Sequence, residues 1–295
     1  MEIVLAGASG LIGTALAGSL QRDGHVVKRL VRHPTSAAGE DSWDPGQGLV
    51  DPDFLASADA VVCLSGVGVG DSRWTDAYKR EIAASRVDTV HTLARSLQEY
   101  GGPRVLVAAS AVGYYGDTGA REVTETAPPG TSFLADVCVA WERAADPARE
   151  AGVRVAHLRT GLVLAGGGGL LGRLVPIVRL GAGGPLGSGL QYMPWISLHD
   201  EVAAIRFVLE HEVSGPVNLT GPRPVPNKAF MQALGRVLHR PTVLPTPGFA
   251  LRIALGEFAG EVLGGQRALP AVLTDAGFGF THQDVESALR WALAR

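Results

Sequence analysis

Three glycines lie three residues apart near the start of the chain, in Gly7-Ala8-Ser9-Gly10-Leu11-Ile12-Gly13. The short apolar run Ile3-Val4-Leu5-Ala6 precedes them. Leu11, Ile12, Ala15, Leu16 and Leu20 follow at helical spacing. Strand, glycine turn and helix in that order make a cradle for a diphosphate. The first glycine permits the tight turn, the second lets backbone approach a phosphate, and the third lets helix and strand pack closely. The helix N-terminus adds free N–H groups and a partial positive charge. A purely structural strand-to-helix turn is the competing explanation, and three glycines at this spacing weigh against it. Gly7, Ser9, Gly10, Leu11, Ile12 and Gly13 are therefore expected to hold the diphosphate of a nicotinamide dinucleotide.

The end of the second strand, 26–31, selects between dinucleotides. NAD-binding proteins usually carry an acidic residue there for the ribose 2′-hydroxyl. This chain reads Val31-Arg32-His33-Pro34, with Arg29 nearby and no acid. An arginine at that place pairs with a 2′-phosphate through charge-assisted hydrogen bonds. Ordinary exposed charge is the alternative for Lys28, Arg29 and Arg32. The reading favours NADP(H), with Val31 and Arg32 at its adenosine end. Leu64-Ser65-Gly66 closes another apolar run, where small residues let the adenosine side lie against backbone; a tight turn explains them equally well.

The elements that must position this cradle follow from periodicity. Strands are predicted at 2–6, 26–31, 60–64, 104–109, 153–158 and 216–219, with helices between them at about 74–100 and 132–150. Strand–helix alternation implies an α/β fold, a Rossmann-type doubly wound parallel sheet covered on both faces. After residue 164 the texture changes to glycine runs, at 166–169 and 181–189, and then to scattered prolines. We expect a dinucleotide-binding domain of residues 1–164 plus 193–221. A smaller, mainly α lobe for substrate is expected from 165–192 plus 222–295. Of the 295 residues 46% are apolar and 19% charged, enough to build a sizeable core. A net charge of −3 leaves no basic balance for nucleic acid. Cys63 and Cys138 lie far apart with no metal-ligand spacing, so no metal site is expected. No secretory leader or membrane-length apolar run is readable, so a cytoplasmic chain without a membrane partner is expected.

The G-x-x-G-x-x-G spacing resembles the short-chain dehydrogenase/reductase superfamily, in its extended, epimerase/dehydratase-like branch. The usual engine there is a Ser or Thr with a Tyr-x-x-x-Lys pair on one helix. This chain has Lys28, Lys79 and Lys228, and none stands four residues after a tyrosine. The helix that carries the pair in relatives is still recognisable around 133–142. If Glu142 matches their acidic residue, Leu134 takes the tyrosine place and Cys138 the lysine place. Ser110 survives ahead of Gly113-Tyr114-Tyr115-Gly116. With Arg80-Glu81-Ile82-Ala83-Ala84-Ser85-Arg86, Arg159-Thr160-Gly161-Leu162-Val163-Leu164 and Trp195-Ile196, these motifs resemble the YfcH-like epimerase-family proteins over essentially the whole chain. The segment from about 243 is similar to a short domain of unknown function that ends those proteins.

That resemblance implies further roles. Glu81 and Arg86 would face the cofactor, where a solvated charged face is the bland alternative. Val163 would meet the nicotinamide end or belong to the core. Ser110 would orient a substrate oxygen, and Tyr114 or Tyr115 would donate a proton. Cys138 would act as an acid or base at lowered pKa, or simply pack as a small buried hydrophobe. Glu142 shares its helix face and would cap a charge network. Asp200 would hold a loop. The function implied is an NADP(H)-binding oxidoreductase or epimerase-like enzyme for a small hydroxylated or carbonyl substrate, nucleotide sugars among them. A non-catalytic NADP(H)-binding sensor or scaffold is the alternative. The helices at 74–100 and 132–150 pair across homodimers in many relatives.

Overall fold

The computed structural model describes residues 1–294. Seven strands form one sheet: β1 (Glu2–Ala6), β2 (Val26–Val31), β3 (Glu40–Ser42), β4 (Ala60–Cys63), β5 (Val105–Ala111), β6 (Arg154–Thr160) and β7 (Gly215–Leu219). Their order is β3-β2-β1-β4-β5-β6-β7, and every pairing is parallel. β1 and β4 are near-continuous apolar runs because helices cover both faces of a parallel sheet. Alternation along β1 sends Ile3 and Leu5 to one core, with Leu16, Leu20, Ile205 and Val208. It sends Val4 and Ala6 to the other, with Val90, Leu93, Leu97 and Trp141. The first face is covered by α1 (Leu11–Arg22) and a helix at Leu198–Glu210, the second by α2 (Asp76–Tyr100) and α3 (Phe133–Arg143).

From β1 the chain steps outward to β2 and β3, then returns to place β4 on the other side of β1. A crevice opens at such a reversal, outside the carboxyl ends of the strands, and the glycine turn after β1 sits at that place.

The expected helix at 132–150 is two pieces. α3 ends at Arg143, and a short helix runs Asp146–Glu150 with Pro147 in its first turn. Proline lacks an N–H and is at home only at such a start. The edge strand β3, Glu-Asp-Ser, carries no apolar alternation to announce it.

A third core joins α4 (Gly169–Arg179), the helix Asn227–Leu238 and the helix Val285–Leu293 around Leu171, Val178, Phe230, Leu234 and Leu289. Met193 and Trp195 pack in this core too. Trp195–Ser197 pairs in parallel with Leu162–Leu164, which ties the core to the end of β6. The chain then returns to the first core, where Leu273 is buried and Phe278 and Phe280 pack.

Candidate functional site

A cleft of about 1300 Å³ opens at the strand reversal. Gly7, Ser9, Gly10, Val31, Arg32, Leu64, Ser65, Gly66 and Glu81 line it. The three turn glycines do different jobs. Gly7 has φ +84°, and a Cβ there would lie 2.7 Å from the Leu64 carbonyl carbon. A Cβ on Gly13 would lie 2.2 Å from the Gly7 oxygen. Gly10 has only one neighbour, the Gly7 oxygen at 3.5 Å, so its missing side chain leaves room at the start of α1. Gly10 caps α1 with no side-chain bond, and the first turn holds no acidic residue. The unpaired N–H groups and the positive end of the helix are thus left for an anion, which is what a diphosphate requires.

Leu11 and Ile12 do not contribute side chains to the cleft. Ile12 packs on the first core, and Leu11 lies beside Gly168. Residues that the sequence reading did not reach also line the cleft, among them Thr14, Gly18, Trp43, Asp44, Asp88 and Thr89. The α1 members were within reach, since helical spacing places Thr14 and Gly18 on one face. The Trp43-Asp44 loop has no such signal.

At the adenosine end, Arg32 and His33 are exposed at the close of β2. Arg32 has no carboxylate partner among the described residues. The acid that does reach this end is Glu40 on β3, which lies 3.7 Å from Arg29 and accepts a hydrogen bond from Thr35. Arg32 therefore remains without a carboxylate partner among the described residues, and Glu40 is engaged by Arg29 and Thr35.

Arg86 is neither on the cleft wall nor on a solvated face. Its Nη1 donates to the Ile82 carbonyl and its Nη2 to the Val67 carbonyl, each at 2.9 Å. The guanidinium stands 5.2 Å from the Trp141 ring, and burial holds its pKa below the ordinary value. A Cβ on Gly66 would touch it at 3.3 Å. Arg86 thus props the 65–67 loop from beneath. Val163 packs at the margin of the first core, paired with Ile196.

The polar candidates deeper in the fold meet in one buried network. Arg159 on β6 grips Glu142 on α3 with two hydrogen bonds of 2.8 Å, Nε to Oε1 and Nη2 to Oε2. Ser110 on β5 donates to the same Oε1 at 2.8 Å. Tyr115 donates to Asn218 at 2.7 Å and accepts from Arg159 at 3.0 Å. Asn218 Nδ2 donates to the Leu269 carbonyl. Glu125 accepts from the backbone N–H groups of Asn218 and Val272. The structure brings Ser110, Tyr115 and Glu142 together, joined by an arginine that sequence reasoning assigned no role.

This arrangement changes two expected roles. Tyr115 is buried, and burial pushes its phenol up to about 12, so it does not fit a proton donor reaching in from the loop. Cys138 is buried with its Sγ toward the Ala111 carbonyl, and burial pushes the thiol up to about 12. That is the opposite of an activated thiol. Tyr114 is only half-buried, with its ring centroid 3.4 Å from the Arg159 guanidinium carbon. Leu134, in the expected tyrosine place, packs in an apolar cluster with Trp74, Phe133 and Phe258. Asp200 accepts from the Thr281 and His282 N–H groups, each at 3.0 Å, and so holds that loop.

A seven-stranded parallel sheet with an uncapped helix start at its reversal defines a dinucleotide-binding α/β protein of the extended short-chain type. The chain belongs to the NAD dependent epimerase/dehydratase family, whose model matches residues 3–220. A domain of unknown function matches residues 246–292. An epimerase family protein of Mycobacterium leprae is 47% identical over 295 residues, covering 99% of this chain and 96% of that one. The crystal structure of human epimerase family protein SDR39U1 (isoform 2) with NADPH superposes with a TM-score of 0.90 at 30% identity, over 100% of this chain and 99% of that one. A nucleoside-diphosphate sugar epimerase from Corynebacterium glutamicum gives a TM-score of 0.80 at 34% identity, over 99% of this chain and 58% of that one.

Proposed function

We propose that this chain binds NADP(H) along the cleft and uses it as a sensor or scaffold, without a tyrosine–lysine proton relay. Arg32 is the observation that carries the choice of NADP(H): an exposed guanidinium with no carboxylate partner among the described residues, beside an acid already paired with Arg29. The human relative crystallised with NADPH supports the same choice. Gly7, Gly10 and Gly13 shape the diphosphate cradle, and Ser65 and Gly66 face the adenosine side. The binding role is supported by what the inner polar groups already do. Ser110, Tyr115 and Glu142 hold β5, β6, β7 and α3 together, and Cys138 is a buried neutral thiol.

A second reading is favoured by Tyr114 and by the naming of the Corynebacterium relative as a nucleoside-diphosphate sugar epimerase. In it the chain is an NADP(H)-dependent oxidoreductase or epimerase for a small hydroxylated or carbonyl substrate. The nicotinamide supplies or accepts the hydride, and Tyr114, held against Arg159, exchanges the proton with the substrate oxygen.

Calorimetric titration with NADPH and NADH tests the cofactor. Arg32→Glu is expected to weaken NADPH roughly 10- to 100-fold more than NADH, the loss of a hydrogen bond between charged groups. Equal weakening of both removes the 2′-phosphate from the argument. NADPH oxidation is then followed over nucleotide sugars, quinones and carbonyls. Tight binding with no turnover on that panel favours the sensor. Substrate-dependent oxidation abolished by Tyr114→Phe establishes the second reading.

A further inference from the structure

The third core turns an unusual face outward. Leu180, just after α4, is 85% exposed, and Val243 is 75% exposed. α5 (Gly248–Leu255) has no buried residue, and its Phe249 and Ile253 are 67% and 72% exposed. Four residues apart, those two share one helix face. Ile177 and Leu244 are exposed as well. These side chains come from two segments that are locked together. Leu244 N donates to Gly183 O, Thr246 N to Pro185 O, Gly187 N to Thr246 O, and Arg240 Nε to Arg179 O. A Cβ on Gly184 would overlap the Leu244 carbonyl at 2.0 Å, so the contact is close. Large apolar groups grouped on an outer face mark an interaction surface.

Charge says what kind. No Asp or Glu occurs from Ala151 to His199, nor from Val213 to Gly256, while those two stretches carry nine Lys and Arg residues. Four of the nine, Arg154, Arg159, Arg173 and Arg236, are held by Glu212, Glu142, Asp71 and Glu286, so the positive charge of this face is carried by Arg179, Arg240 and Arg252. Arg179, Arg240 and Arg252 stand exposed beside the apolar side chains, and none has a carboxylate partner among the described residues. Three exposed arginines set among apolar side chains complement a surface that is apolar within and anionic at its boundary. The side chains also project from a helix and a proline-flanked turn rather than line a groove, which suits a soft apolar medium.

We infer that this face rests on an anionic lipid bilayer surface, with Phe249, Ile253, Val243 and Leu180 entering the headgroup boundary and Arg179, Arg240 and Arg252 meeting lipid phosphates. An interfacial helix with apolar and arginine-bearing faces binds in this way. No described helix is long and apolar enough to cross a membrane, and a surface contact requires none. The inference stands apart from the proposed use of NADP(H), because none of these residues lines the cofactor cleft.

The full chain is floated with vesicles of phosphatidylcholine alone, and with an equal mixture of phosphatidylcholine and phosphatidylglycerol. Flotation is expected with the mixed vesicles only, and it falls as salt is raised. Each arginine near an anionic surface is worth about a fivefold factor in partitioning, so Arg179→Glu/Arg240→Glu/Arg252→Glu lowers it roughly 100-fold or more. Phe249→Ser/Ile253→Ser abolishes it. All five positions are exposed, and thermal melting checks that both variants fold; if the apolar pair fails to fold, the arginine variant decides. The inference is overturned if wild type does not float with the mixed vesicles. It is overturned equally if flotation ignores lipid charge and the arginine substitutions. Sedimentation showing a dimer that Phe249→Ser/Ile253→Ser dissociates assigns the face to a second copy and also overturns it.

Discussion

Glu201 offers a sharp test of the buried electrostatics. It sits on the helix Leu198–Glu210 with its side chain fully buried. Thr160 Oγ1 donates to its Oε1 at 2.8 Å, and its Oε2 has no hydrogen-bond partner among the described residues. Burial pushes the carboxyl from its ordinary 4.5 up to about 8. In the unfolded chain the group ionises at the lower value, so on raising pH the unfolded state loses the proton first. The stability tied to Glu201 is full below about pH 4.5 and drains away as pH rises toward about 8. Each pH unit inside that window costs about 1.4 kcal/mol, so roughly 3 kcal/mol is lost by pH 7. Glu201→Gln keeps the shape and the bond from Thr160 but cannot ionise. Urea denaturation of both proteins at pH 5, 6, 7 and 8 measures the difference, and other titrating groups cancel between them. The variant is expected to gain on wild type steadily, by roughly 3 kcal/mol near neutral pH. Parallel stability curves across pH 5 to 8 would refute the reasoning, because Glu201 would then be finding a partner for its charge.

Other outcomes follow from the same geometry. Glu142→Ala leaves Arg159 buried without its counter-charge and Ser110 without its acceptor; urea denaturation should register a loss of about 3–5 kcal/mol, and an unchanged midpoint would remove the structural role. Gly13→Ala drives a Cβ into the Gly7 oxygen, so calorimetry should record a lowered Tm with or without NADPH. Gly10→Ala makes only an ordinary 3.5 Å contact with the Gly7 oxygen, so its Tm should hold while NADPH affinity falls; normal affinity would move the diphosphate away from the start of α1.

What the sequence made legible was whatever depends on local spacing. The glycine turn, the first two strands and the order of strands and helices all rest on near-neighbour pattern, and the sheet follows them closely. Arg32 was readable because it ends a strand whose neighbours were already placed. Glu40 was not, since only the pairing of β3 with β2 carries it to Arg29. The inner network was hidden for a related reason. Ser110, Glu142 and Arg159 are separated by 32 and 17 residues along the chain, and nothing local says that a serine bonds a glutamate rather than a ligand. Arg86 illustrates the limit well: a charged residue on a long helix ordinarily faces solvent, and only packing against Trp141 and two carbonyl groups turns it inward.

The stitching of residues 265–284 onto the sheet also orders the birth of the protein. Glu125 and Asn218 make bonds to Val272 and Leu269, and Asp200 to Thr281 and His282. A ribosome delivers those partners after all seven strands of the sheet. Until they emerge, Glu125, Asn218 and Asp200 lack them, although the strands around these residues have long been synthesised. The nascent chain therefore waits with part of its first core open after β7, the last strand of the sheet, has been made, and that core closes only when residues 265–284 follow.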